Sequence, residues 1–337
     1  MHTIAIDAMG GDNSPAEIIK GAVASLEQTR DTKIILVGKQ DIIEENLKNQ
    51  NYDKSRLNIK NATEVIKTDE AAMSIKTKKD SSIVVGLNLI KEGSADSFIS
   101  AGSTGALLAG ATLKIKRLPG ISRPALATLL PGEKGFSMLL DSGANVDCKP
   151  EYLLQFAILG TAYMENVIGI KNPTVGIVSV GTEKEKGNAL SKEAYQLLES
   201  SKLNFKGNVE ARDISKGVCD VFVCDGFVGN VVLKTAEGYS KFIFDTIKKE
   251  LMTNTITKIG AALSKPAFEN IKKAFDHSEV GGAPFLGLKS LVIKTHGSSK
   301  SKDIVGSVKQ SQRFYQGEMI KKLEQMAMLQ NPTKSEA

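Results

Sequence analysis

Residues 3–15 read TIAIDAMGGDNSP. The apolar run Ile4-Ala5-Ile6 has the length and make-up of a strand buried on both faces, and it runs straight into Asp7 and then the pair Gly10-Gly11 ahead of Asp12. A turn needs one glycine at most for a positive φ. Two of them between two aspartates describe a strand end whose backbone is meant to be approached closely.

The pattern continues along the chain. Ile34–Val37, Ser97–Ile99, Phe136–Leu140, Val175–Val180, Val221–Cys224 and Leu291–Ile293 are short apolar runs that predict strands. Pro15–Leu26, Ser81–Ile90, Thr104–Ile115, Glu151–Met164 and Leu190–Leu198 carry apolar residues three and four apart and predict helices between them. Strand and helix in alternation predict an α/β fold, a mainly parallel sheet with helices on both faces. No internal repeat or linker divides the chain, so residues 1–330 are expected to form one catalytic unit of two lobes around a cleft, with 331–337 a loose tail.

Composition narrows the class. The 337 residues are 41% hydrophobic and 24% charged, which suits a globular protein with a substantial core, and no apolar stretch is long enough to span a bilayer. The N-terminus is a strand pattern and not an export signal, so a cytoplasmic protein is expected. Cys148, Cys219 and Cys224 are odd in number and form no C-x-x-C pair, which argues for reduced structural thiols. A net charge of +6 favours anionic partners, but the absence of Trp and of any arginine cluster argues against nucleic acid.

In a parallel α/β sheet, ligands bind beyond the carboxyl ends of the strands. Six such ends share one vocabulary: DAMGGDNSP from Asp7, SAGSTGALLAG from Ser100, DSGANVDCKP from Asp141, GTEKEKGN from Gly181, DGFVGN from Asp225 and KTHGSSK from Lys294. Each alone reads as a glycine turn or a helix cap. Together, Asp7, Gly10, Gly11, Asp12, Ser100, Gly102, Ser103, Thr104, Gly105, Asp141, Gly143, Asn145, Asp225, Gly226, Gly229, His296 and Ser298 are candidates for binding a small anion. Ser100–Gly105 leads into an apolar helix, and free N–H groups with the positive end of a helix dipole form an anion cradle. The motif is neither a Walker loop nor a dinucleotide fingerprint, so an oxyanion without a nucleotide fits it.

Reactive side chains are few. His2 and His277 fall outside the strand ends, and His296 is either the one candidate base or a hydrogen-bonded loop residue. No G-x-S-x-G motif or Cys-His arrangement supports covalent catalysis. Lys184, with Lys186 beside it, and Asn230 remain: a lysine and an amide can neutralise and hydrogen-bond an oxygen that gains charge, unless the lysines are merely solvated. The aspartates have no spacing that specifies a metal, and neither metal nor cofactor is expected.

From about Gly238 to Phe275 the rhythm changes to successive helices. Met252, Ile256, Ile259 and Leu263 form one apolar stripe, and Phe268, Ile271 and Phe275 another, with Pro266 opening the second helix. Over residues 238–276 this predicts a protruding amphipathic hairpin, with Ile259, Leu263 and Phe268 in contact with a membrane surface or a dimer partner.

The motifs IAIDAMGGD, SAGSTGALLAG, LDSGANVD, GTEKEKGN, VCDGFVGNVVLKTAEG, GGAPFLGLK and HGSS, in this order over nearly the whole chain, closely resemble those of the bacterial phosphate acyltransferases. That family makes acyl-phosphate from acyl carrier protein thioesters for phospholipid synthesis. The resemblance implies a fold similar to isocitrate and isopropylmalate dehydrogenases and to phosphotransacetylases. It implies a homodimer that touches the inner membrane surface, and orthophosphate, a fatty acyl chain and acyl carrier protein as partners. It also implies Lys184 and Asn230 as catalytic residues. Ser103 stands where the family commonly has asparagine. Two other classes stay open: a phosphotransacetylase-type enzyme using acyl-coenzyme A, and a non-catalytic membrane-surface scaffold.

Overall fold

The run Ile4-Ala5-Ile6 forms the middle of strand β1 (His2–Asp7) in a computed structural model that describes residues 1–274 and 281–330. The expectations for Phe275, Asp276, His277 and the tail from Asn331 lie outside the described residues. After β1 come α1 (Ala16–Gln28), β2 (Thr32–Gly38), α2 (Gln40–Leu47), β3 (Leu57–Asn61), α3 (Ser82–Lys91), β4 (Ser97–Ser100), α4 (Thr104–Lys114) and β5 (Ala125–Leu126). A middle block holds β6 (Thr128–Gly132), β7 (Gly135–Leu140), α5 (Pro150–Tyr163), β8 (Thr174–Ser179), α6 (Ala189–Glu199), β9 (Asn204–Glu210) and β10 (Val221–Val223). Three consecutive helices follow: α7 (Gly226–Leu251), α8 (Thr255–Leu263) and α9 (Lys265–Ala274). The last block is β11 (Ala283–Leu286), β12 (Leu291–Lys294), α10 (Ser301–Gln316) and α11 (Met319–Gln330).

The strands form two sheets where the alternating rhythm suggested one. The first has the order β3-β2-β1-β4-β12-β11-β5 and is parallel except for β11. The second has the order β6-β7-β10-β8-β9 and is parallel except for β6. The final block of the chain returns to the first sheet, where β12 pairs with β4 in the register Val292↔Phe98. No local pattern announces a pairing between strands almost two hundred residues apart.

One apolar core runs from Ile4 and Ile34 through Phe156 and Tyr163 to Val175 and Val221, so both sheets lean on the same side chains. Tyr163 is buried with its hydroxyl accepting from Gln310 Nε2 at 2.9 Å, which ties α10 to α5. In the first sheet the chain winds outward from β1 through β2 to β3 and, on the other side, through β4. The switch of direction therefore falls between β1 and β4, where a crevice opens at the strand ends.

The stretch expected to begin as a helical pair near Gly238 is the second half of α7 followed by α8 and α9, with Met252 in the connection between α7 and α8. Among the described residues, no helix is long and apolar enough to cross a membrane.

Candidate active site

The first sheet's rim is built around Asp7. Its carboxylate is buried and accepts the N–H groups of Met9 and Gly10, each at 3.1 Å, and the Ser100 hydroxyl at 2.7 Å. Ser100 Oγ in turn accepts from Gly102 N at 3.0 Å. Burial pushes the Asp7 carboxyl above the usual carboxylate range, against the pull of these hydrogen bonds. The glycine pair is explained by crowding: a Cβ on Gly10 would stand 2.5 Å from Asp7 Oδ2 and 2.7 Å from Gly102 N. Gly11 has φ +96°, and the following N–H, that of Asp12, reaches Gly297 O at 2.7 Å. The β1, β4 and β12 ends are thereby locked into one surface. Ser103 is buried, and its hydroxyl accepts from Ala106 N at 3.4 Å, so it caps α4.

The second sheet's rim has the same design. Asp141 is buried and accepts five hydrogen bonds: from the N–H groups of Leu126, Gly143, Ala144 and Asn145, and from Asn145 Nδ2. Burial raises its pKa despite those donors. Asp225 caps α7 by accepting from Val228 N at 2.8 Å, and Gly226 N donates to Asn145 O at 2.7 Å. The second turn of α7 presses against the β7 end so tightly that a Cβ on Gly229 would lie 1.9 Å from Asp141 O. That contact holds Asn230 beside Gly143.

The two rims face one cleft of about 1420 Å³. Thr104, Gly143, Gly226, Asn230, His296 and Ser298 line it, while Asp7, Ser100, Gly102, Asp141 and Gly229 stand behind as buried supports. The Asn230 amide has no hydrogen-bond partner among the described residues, which leaves it available to a bound molecule. His296 is exposed and its Nδ1 contacts the Ser298 hydroxyl at 2.7 Å. Gly105 is exposed and faces Ala72.

Lys184 is not brought to this cleft. Its ammonium donates to both carboxylate oxygens of Glu199 at 2.7 and 2.6 Å and sits over the Tyr195 ring, on the outward side of α6. The Glu199 hydrogen bonds hold its pKa above the ordinary lysine value. The loop is mixed in charge, and Lys184 is drawn to an exposed carboxylate.

Sequence reading passed over Lys294, the last residue of β12, although its strand end was recognised. Half-buried, it lines the cleft and donates to the backbone carbonyls of Ala101, at 3.2 Å, and Thr295. Burial lowers its pKa to about 8, opposed by the carboxylates of Asp7 and Asp12 and aided by Lys234. The signal was a lysine inside a strand-end motif rather than in a loop of charges.

Two buried carboxylates thus shape loops, and the cleft lining offers amide, hydroxyl and ammonium donors. Burial and nearby carboxylates push the Cys148 thiol up to about 12, and burial raises Cys219 to about 11, so neither is a thiolate nucleophile at neutral pH. Among the described residues, no group of three His, Cys, Asp or Glu side chains could hold a metal ion. Such a site orients an anion and stabilises developing negative charge.

A family model described as "Fatty acid synthesis protein" matches residues 2–322. Curated relatives named phosphate acyltransferase include one from Clostridium botulinum (strain ATCC 19397 / Type A), 49% identical over 322 residues that cover 95% of this chain and 96% of the relative. Another, from Clostridium tetani, is 47% identical over 323 residues, covering 96% and 97%. Among solved structures, a phosphotransacetylase from Streptococcus pyogenes has a TM-score of 0.61 at 20% identity, covering 96% of this chain and 94% of its own. A 4-hydroxythreonine-4-phosphate dehydrogenase from Klebsiella pneumoniae has a TM-score of 0.53 at 12% identity, covering 93% and 99%. At these identities the structural likenesses speak to the fold alone.

Proposed function

The chain belongs to the fatty acid synthesis protein family, whose curated relatives are phosphate acyltransferases, and we propose that it moves a fatty acyl group from an acyl carrier protein thioester to orthophosphate. The observation that carries this reading is the shared cleft. Strand ends of both sheets supply backbone and side-chain donors, with the free Asn230 amide among them.

Orthophosphate is anionic at neutral pH and needs no enzyme nucleophile. Its oxygen attacks the thioester carbonyl, the new C–O bond forms, and the C–S bond breaks with its electron pair leaving on the pantetheine sulfur. Asn230 donates to the carbonyl oxygen as it becomes negative. The leaving thiol has a reference pKa of about 8.5, so it departs as thiolate with little help from an acid. The carrier is acidic, and the net charge of +6 favours its approach.

The unit works as two lobes around the cleft, at the cytoplasmic face of the membrane and as a homodimer. The exposed apolar side chains of α8 support that location, since they lie beside Lys258 and Lys265 on an element with little else to pack against.

The test is to incubate purified protein with phosphate and either acyl carrier protein thioester or acyl-coenzyme A, and to trap acyl-phosphate with hydroxylamine. Product from the carrier thioester is expected. Product from the coenzyme A thioester alone would reassign the donor, and none from either would leave a scaffold. Asn230→Ala is expected to retain the fold and lose about 3 kcal/mol of transition-state stabilisation, roughly a hundredfold in kcat.

A further inference from the structure

The cleft holds one ammonium group whose surroundings are incomplete. Lys294 carries three N–H donors. Two go to the carbonyls of Ala101 and Thr295, and among the described residues no carboxylate lies within ion-pair distance of it. Asp7, the nearest buried carboxylate in its strand-end cluster, has its oxygens taken by Ser100, Met9 and Gly10. A half-buried cation without a bonded counter-ion is costly to maintain, and its pKa of about 8 reports that cost.

A second group beside it is also incomplete. Thr295 is a cleft-lining residue only 2% exposed, and its buried hydroxyl has no hydrogen-bond partner among the described residues. Across the cleft, Lys234 lies one helical turn beyond Asn230 on α7, close enough for its charge to depress Lys294, with its ammonium bonded to Glu237 at 2.7 Å. Thr104, the first residue of α4, completes the lining with the positive end of a helix. These groups lie on three elements and present positive charge and donors to the same space, which is what a tetrahedral dianion requires.

We infer that Lys294, with the Thr295 side chain beside it, binds orthophosphate and offsets charge on it during acyl transfer. The inference rests on the acyl-transfer reading for its second half only. Bound phosphate supplies the missing counter-charge of Lys294, beside the Lys234–Glu237 pair on α7. Asn230 then stands one turn away for the carbonyl oxygen of the acyl donor.

The experiment uses the full chain. Calorimetric titration with inorganic phosphate, without acyl donor, is expected to show binding that weakens at least about tenfold in Lys294→Met and by a few-fold in Thr295→Val. In the coupled assay, Lys294→Met raises KM for phosphate by the same factor and leaves KM for the acyl donor within about twofold. A folded Lys294→Met with wild-type phosphate binding and KM overturns the inference. Should that variant fail to fold, the wild-type protein decides: NMR titration of its lysine ammonium groups is expected to show the lowest-pKa lysine moving upward on addition of phosphate, and no movement overturns the inference. A wild-type chain that binds phosphate at Lys294 but forms no acyl-phosphate overturns the acyl-transfer reading and leaves the phosphate site standing.

Discussion

Lys184 and Lys294 carry the same group in opposite settings. The first is exposed and bonded to Glu199, where solvent screens its charge; the second is half-buried against the strand-end cluster. Lys184→Ala is therefore expected to leave acyl-phosphate formation within about threefold of wild type, as for most surface substitutions away from a site. A loss as large as that of Asn230→Ala would show that the loop swings into the cleft during turnover. The loops that meet at the cleft were legible because glycine, aspartate and serine recur together at six strand ends. The direction in which a long lysine points was not, since that depends on which carboxylate stands nearest in space. Ser103 shows the same limit: its place at the start of α4 was readable, while the bond from its hydroxyl to Ala106 N, which makes it a cap, was not. Asparagine caps a helix as well as serine does, so this departure from the family's usual residue is readily accommodated.

Elements were legible in proportion to how deeply they are buried. Strands β4 and β10 are buried throughout, and β1 at every residue but Thr3, because helices or core cover both faces. The outer strands β3, LNIKN, and β9, NFKGNVE, carry polar residues on their exposed faces and have no apolar run to find. The far end of β1 gives this scale its own prediction. His2 is buried, contacts the Ser311 hydroxyl on α10 at 2.9 Å and stacks on Tyr315 with ring centroids 4.3 Å apart. Burial lowers its pKa from 6.5 to about 4, with Asp96 opposing. A histidine held neutral in the fold contributes stability that is fully present above its unfolded pKa and is lost as pH falls toward the folded value. Between pH 7.5 and 5 this loss is about 2 kcal/mol. Urea unfolding at the two pH values is expected to show His2→Gln losing less stability than wild type by about that amount; equal losses would mean that His2 is charged in the fold.

At the scale of the whole molecule, the sequence shows the buried strands but not their partners, and two sheets arise because the last block of chain pairs with the first across everything between. The helices α7, α8 and α9 interrupt that return, and they leave apolar side chains in the open: Ile256 is 83% exposed, Leu263 79% and Ile259 57%, and α8 buries none of its residues. Phe268 on α9 is half-buried and contributes less to that face. An apolar stripe flanked by lysines suits the boundary between lipid headgroups and acyl chains. The pair Ile259→Glu and Leu263→Glu removes the stripe while leaving the cleft untouched. Flotation with vesicles containing anionic lipid is expected to recover the wild-type chain and not this variant, with acyl transfer from soluble carrier thioester within about twofold of wild type, since neither residue touches the cleft. Unchanged flotation, together with a shift from dimer to monomer in sedimentation, would instead give the stripe to a second copy of the chain.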